Sequence, residues 1–156
     1  MYGKLTATVR HHFSAGHRIP GLPGAGEKCT NVHGHTFGVS WTVGVPSLDA
    51  TVVEFGELKR AFRGWVDQRL DHGFIVGKDD LEMLGVLKLM GSKHFVTDNP
   101  PTTEAIASVI AQASQDLLSG VVLLSVEVTE GPHNAATWHN PAKVWSAQEL
   151  EGMAGF

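Results

Sequence analysis

The chain has 156 residues, of which 42% are hydrophobic and 18% charged, with a formal net charge of -4 and a single cysteine. Such a composition suits one folded domain with a proper core and excludes a disordered chain. Without a Lys/Arg cluster, nucleic acid is not expected as the partner, and no apolar run approaches the roughly 18 residues of a membrane span.

The first residues lack the apolar stretch of a secretory signal, and one cysteine cannot form an internal disulfide, so a cytoplasmic setting is expected. Residues 4–13 alternate, with Leu5, Ala7 and Val9 on one face, which predicts a half-buried strand leading to His17. Residues 20–28, rich in proline and glycine, predict a loop. A second strand is expected over 34–45, with Phe37, Val39, Trp41 and Val43 aligned and His33 and His35 in the same odd register. From Phe55 the period changes: Phe55, Leu58, Phe62, Trp65 and Leu70 mark an amphipathic helix, with Gly73 as its cap. The stretch 77–98 is ambiguous, with a short helix at 81–90 and an extended piece at 95–96. Pro100-Pro101-Thr102-Thr103-Glu104 opens a further helix that carries Ile106, Val109, Ile110, Ala113 and Leu117 on its apolar side and stops at Gly120. Strands over 121–129 and 135–138 close the pattern. The order implies an α+β fold: a four-stranded antiparallel sheet with two helices on one face, whose open edges invite association into a barrel.

Three imidazoles and the cysteine fall within nineteen residues. His33 and His35 flank Gly34, so on a strand both rings share a face; with His17 from a neighbouring strand they form a set that suits tetrahedral zinc with one position open. Cys29 has three readings: a fourth ligand that closes the site, a thiolate acting as base or nucleophile beside the metal, or an inert buried thiol. Asp71 and His72 are a carboxylate and an imidazole at a helix end; adjacent residues seldom bond to each other, but the helix end can direct both to one site. Glu130, at a strand end before Gly131-Pro132, can accept two parallel N–H bonds from an aminopyrimidinone edge, or be a solvated strand end. Glu104 reads as a substrate contact or as a helix-cap carboxylate.

Phe13-Ser-Ala-Gly-His17, Cys29-x₃-His33-Gly-His35, Phe55-Gly-Glu-Leu-Lys59, Leu70-Asp-His72, Pro101-Thr-Thr-Glu104 and Val128-Thr-Glu130 follow one another in the order of a known family. Over residues 5–138 the chain resembles the 6-pyruvoyltetrahydropterin synthase / 6-carboxytetrahydropterin synthase family. The resemblance implies a tunnelling fold, with subunit sheets joined into a barrel, trimers stacked into hexamers and active sites at subunit interfaces. It implies Zn2+ on His17, His33 and His35, Cys29 as catalytic base, and Asp71 with His72 as its proton relay, supplied by the same or a neighbouring chain. It implies Glu130 as the pterin anchor, with Thr102, Thr103 and Glu104 near the same pocket.

The short Cys-x₃-His-Gly-His spacing resembles the 6-carboxytetrahydropterin synthase branch. That branch converts 7,8-dihydroneopterin triphosphate to 6-carboxy-5,6,7,8-tetrahydropterin, acetaldehyde and triphosphate, on the way to 7-deazaguanines such as the queuosine precursor. The pyruvoyl-forming lyase is the near alternative, and a non-catalytic zinc module with a closed His₃Cys site is the alternative of another class. Two departures stand out within the single domain expected over 1–156. Glu54 replaces the usual aspartate before Phe-Gly, and 77–98 is longer than the usual link.

Overall fold

The computed structural model describes residues 5–45, 54–118 and 120–143. In chain order these form β1 (Thr6–His17), a 3₁₀ helix (Gly24–Thr30), β2 (His33–Gly44), α1 (Phe55–Arg69), β3 (Gly73–Gly77), α2 (Leu81–Met90), β4 (His94–Thr97), α3 (Thr103–Gln115), β5 (Val122–Glu130), β6 (Asn134–His139) and a 3₁₀ turn (Pro141–Lys143). No helix among the described residues is long and apolar enough to cross a membrane.

The sheet departs from the expected one. It has six strands, in the order β4-β3-β1-β2-β5-β6, and it is mixed rather than antiparallel. The expected four strands are present as the antiparallel run β1, β2, β5 and β6. Beside β1 lie β3 and β4, both parallel. The signal for β3 is Gly73-Phe-Ile-Val-Gly77, a short unbroken apolar run bounded by glycines, as a parallel strand buried on both faces requires. Gly73 therefore opens a strand and does not cap the preceding helix. Instead α1 ends at Leu70, and the left-handed residue is His72, at φ 57.

Alternation sorts the side chains as the sequence predicts. Val9, Phe13 and Ala15 of β1 and Phe37, Val39, Trp41 and Val43 of β2 are buried on one face beneath Leu58, Phe62 and Val66 of α1 and Ile106 and Ile110 of α3. Trp41 stacks on Phe62 at 5.3 Å, and its indole N–H donates to Ser114 Oγ at 2.9 Å. Phe62 exposes only 2% of its surface, so Phe62→Ala is expected to lower unfolding stability by about 3–5 kcal/mol, read by chemical denaturation. A loss below about 1 kcal/mol would contradict this packing.

The opposite face carries a second, smaller core. Phe74 and Val76, the outward residues of β3, pack with Met83 and Leu87 of α2. The expectation of helices on one face therefore holds for α1 and α3 and fails for α2. The 77–98 segment supplies α2 and β4 of a β3-α2-β4 crossover that extends the sheet and covers its other side. Glu54 caps α1: its carboxylate accepts the Gly56 and Glu57 N–H groups at 2.7 and 2.8 Å.

Candidate metal and substrate site

The strand register assembles the histidines. His17 lies directly opposite His33 across the β1–β2 ladder, and Ala15 lies opposite His35. All three rings therefore emerge from one face at the end of the main core, and their ligand atoms lie within 4.8 Å of one another. Phe37, the next residue on that face, sits edge-on to His17 and His35 at 5.6 and 5.5 Å and stacks on Phe13 at 5.1 Å. Aromatic packing thus forms the floor of the cluster. The glycines between the ligands bring the strands close. A Cβ on Gly34 would stand 3.1 Å from the Ala15 carbonyl oxygen, and one on Gly16 would collide with the Phe74 ring at 2.8 Å.

Backbone carbonyls orient two of the rings. His17 Nδ1 bonds Pro101 O at 2.8 Å, and His33 Nδ1 bonds Asn31 O at 2.6 Å, which leaves each Nε2 for the shared space. Two buried side-chain nitrogens, His17 Nε2 and His35 Nε2, have no hydrogen-bond partner. Buried polar atoms are seldom left so, and two of them converging with a third imidazole fit a bound cation. Burial is the main reason His17 lies below the ordinary imidazole range; the Pro101 carbonyl opposes it and His33 adds to it. The neutral ring so favoured is the form that binds metal.

Glu130 meets this cluster. Its Oε1 lies 3.2 Å from His35 Nε2, within ion-pair range but not aligned as a hydrogen bond, and its Oε2 accepts the Thr103 hydroxyl at 2.7 Å. The β5 end and the α3 start therefore converge on the third imidazole. Thr102 is instead the N-cap of α3, with its Oγ1 accepting the Ala105 N–H at 3.2 Å. Glu104 is exposed in the first turn of α3, where it complements the helix dipole.

Asp71 and His72 do bond to each other, contrary to what adjacency suggests. The left-handed backbone at His72 turns its ring back, and Nδ1 stands 2.7 Å from Asp71 Oδ2. The pair is pinned to β1 twice. Ser14 N–H donates to Asp71 Oδ1 at 2.9 Å, and His72 N–H donates to Ser14 O at 2.7 Å. Desolvation works to raise the Asp71 carboxyl, but the Ser14 amide and His72 together outweigh it and hold it below the usual carboxylate range. His72 itself is 83% exposed. A shallow open groove of about 550 Å³ is bordered by Ser14, His33, His35, Thr36, His72 and Phe74.

Cys29 is a free, half-buried thiol on the 3₁₀ helix. Its own carbonyl accepts the Ile19 N–H at 2.7 Å, which ties the 20–28 loop back to the end of β1. The group among the described residues that could hold a cation consists of the three imidazoles and does not include Cys29. Sequence reasoning missed the Pro101 and Ser14 backbone groups, because a carbonyl or amide carries no residue-type signal.

The family model of 6-pyruvoyl tetrahydropterin synthase matches residues 6–141. The chain belongs to the 6-pyruvoyl tetrahydropterin synthase family. Among its relatives, the 6-carboxy-5,6,7,8-tetrahydropterin synthase of Rickettsia bellii is 36% identical over 106 residues, 66% of this chain and 75% of the relative. The enzyme of the same name from Aquifex aeolicus is 35% identical over 86 residues, 51% of this chain and 52% of the relative. Among solved structures, an uncharacterised protein from Wolinella succinogenes superposes with a TM-score of 0.70 at 23% identity, covering 88% of this chain and 99% of its own. The Caenorhabditis elegans 6-pyruvoyl tetrahydropterin synthase superposes with a TM-score of 0.62 at 24% identity, covering 87% and 95%. At these identities the solved structures establish the shared fold of the family.

Proposed function

We propose that this protein is a zinc-dependent carbon–carbon lyase that converts 7,8-dihydroneopterin triphosphate to 6-carboxy-5,6,7,8-tetrahydropterin, acetaldehyde and triphosphate, a step toward 7-deazaguanines. The observation that carries the reading is the convergence of three imidazoles, two with orphaned buried Nε2 atoms, on a carboxylate already held by Thr103. Its support from relatives is the name that the Rickettsia bellii and Aquifex aeolicus proteins share.

His17, His33 and His35 would hold the zinc, which when bound supplies Lewis-acid stabilisation of charge developing on substrate oxygens. Glu130 is the pterin anchor, accepting the N–H edge of the aminopyrimidinone while Thr103 fixes its rotamer. Cys29 is the base that removes a side-chain proton. His72, its tautomer set by the Asp71 carboxylate at Nδ1, presents Nε2 to return or accept a second proton. Thr102 and Glu104 shape the pocket through the start of α3 and need not touch substrate.

The whole of 1–156 is one catalytic domain in this reading, with 77–98 an insertion that enlarges the sheet. A homohexamer of two stacked trimers, with sites at subunit interfaces, agrees with the sheet's edges. β1 pairs with β3 only over Ala15–His17, so residues 6–14 have no strand beside them on that side among the described residues. The exposure of His72 leaves it accessible to a neighbouring chain. One cysteine, half-buried and unpaired, suits the reducing cytoplasm.

The test is mass spectrometry of the products formed by zinc-loaded protein from 7,8-dihydroneopterin triphosphate. Carboxytetrahydropterin together with acetaldehyde is the expected result. A product that retains the three-carbon side chain would assign the pyruvoyl-forming reaction instead. Absence of turnover by fully zinc-loaded protein would overturn the lyase reading.

A further inference from the structure

The inserted 77–98 segment touches the histidine site through an unusual route. His17 exposes no surface, and its ring orientation depends on one carbonyl, that of Pro101. Pro101 follows β4 and is therefore carried by the insertion. Behind it is a cavity of about 180 Å³, bordered by Arg18, Pro20, Gly77, Asp80, Asn99 and Pro101. With open space beside it, the Pro101 segment gains rigidity from a tether across that space.

The tether spans the same cavity. Arg18, the residue after the His17 ligand position, donates from Nε and Nη2 to the two oxygens of Asp80 at 2.7 and 2.6 Å. The pair is largely buried, with side-chain exposures of 17% and 9%. Asp80 is also the N-cap of α2, accepting the Met83 N–H at 3.1 Å. From Asp80 the chain leads back through Gly77, where an added Cβ would be in ordinary contact with the Asn99 carbonyl oxygen and Pro100 Cα, at 3.5 Å from each. Lys78 N–H donates to Thr97 O at 2.8 Å, and the Thr97 hydroxyl donates to Asn99 O at 2.6 Å. The contacts close a ring: His17-Arg18, Asp80, Gly77-Lys78, Thr97-Asn99, Pro101 and back to His17.

We propose that Arg18 and Asp80 are positioning residues for the metal site, holding the Pro101 carbonyl where it presents His17 Nε2 to the cation. The inference rests on the reading of His17, His33 and His35 as metal ligands. A bidentate guanidinium–carboxylate pair suits this role because its two parallel bonds fix direction as well as distance. The insertion thereby tunes metal affinity as well as extending the sheet.

Asp80→Asn separates the two roles of this residue. Asparagine still caps α2 through its amide oxygen, but its NH₂ group faces a guanidinium donor and breaks the clamp. The test measures Co²⁺ and Zn²⁺ dissociation constants of the full chain by chelator competition, with the visible Co²⁺ spectrum as a second readout. Asp80→Asn and Arg18→Lys are expected to weaken binding by about 10–100-fold, the usual effect of losing an outer partner of a ligating histidine, and to alter the Co²⁺ bands. Glu82→Gln, which removes only the 82% exposed partner of Arg18, is expected to bind as the parent does.

Parent affinity and spectrum in folded Asp80→Asn, with only its melting temperature lowered, would reduce the clamp to a structural role and overturn the inference. So would equal weakening by Glu82→Gln, which would mark a general charge effect. If Asp80→Asn fails to fold, Arg18→Lys decides by the same criteria. Failure of the parent chain itself to bind either metal would overturn the metal-site reading and this inference with it.

Discussion

His33→Ala is expected to lose bound metal and turnover together. His33 is the informative ligand to remove because it is partly exposed and its substitution leaves little cavity, whereas His17→Ala would also open a buried void and strand the Pro101 carbonyl. Loss of one of three donors should weaken zinc binding by more than the roughly 100-fold attributed to outer partners. Metal content by mass spectrometry and chelator competition reads the first effect, and product formation reads the second. Circular dichroism should remain that of the parent, since the ring lies at the end of the core rather than within it. Stoichiometric, tightly held zinc in this variant would remove His33 from the site.

Cys29→Ala is expected to separate the two properties that His33→Ala loses together. Zinc should remain, because the thiol stands outside the three-imidazole group, while kcat falls by about 10²–10⁴-fold, the span of a lost proton-transfer group. KM should change little, since the proposed anchor carboxylate, Glu130, is on a different element. Parent-like kcat would dismiss Cys29 as the base. Loss of zinc in step with kcat would instead make Cys29 a ligand and revive the closed structural site.

Much of this molecule is readable from residue order. Odd-register alternation from Leu5 to Val9 and from His33 to Val43 places both strands, and the three-four spacing from Phe55 to Leu70 places α1. The same alternation puts His33 and His35 on one face, so the candidate ligand set follows from periodicity and residue type. The β3-α2-β4 segment is less legible. Gly73–Gly77 is too short and too uniformly apolar for alternation to show, and the exposed apolar residues of α2, Leu81 and Leu89 among them, blur its amphipathic face. Asp71-His72 is legible as chemistry but not as geometry, because the bond between them needs a left-handed backbone that the Ser14 pairing stabilises.

What the sequence determined by itself is therefore the set of local periods and the candidate residues for ligation, proton transfer and anchoring. Only the tertiary structure decided that His17 stands opposite His33, that Glu130 turns toward His35, and that Pro101 and Ser14 supply the backbone groups that aim the side chains. The physical reason is that periodicity reports on the face a residue occupies, which is a property of neighbours in the chain. Register, parallel pairing and backbone hydrogen bonding depend on segments as far apart as His17 and Pro101, and they leave no mark on residue type.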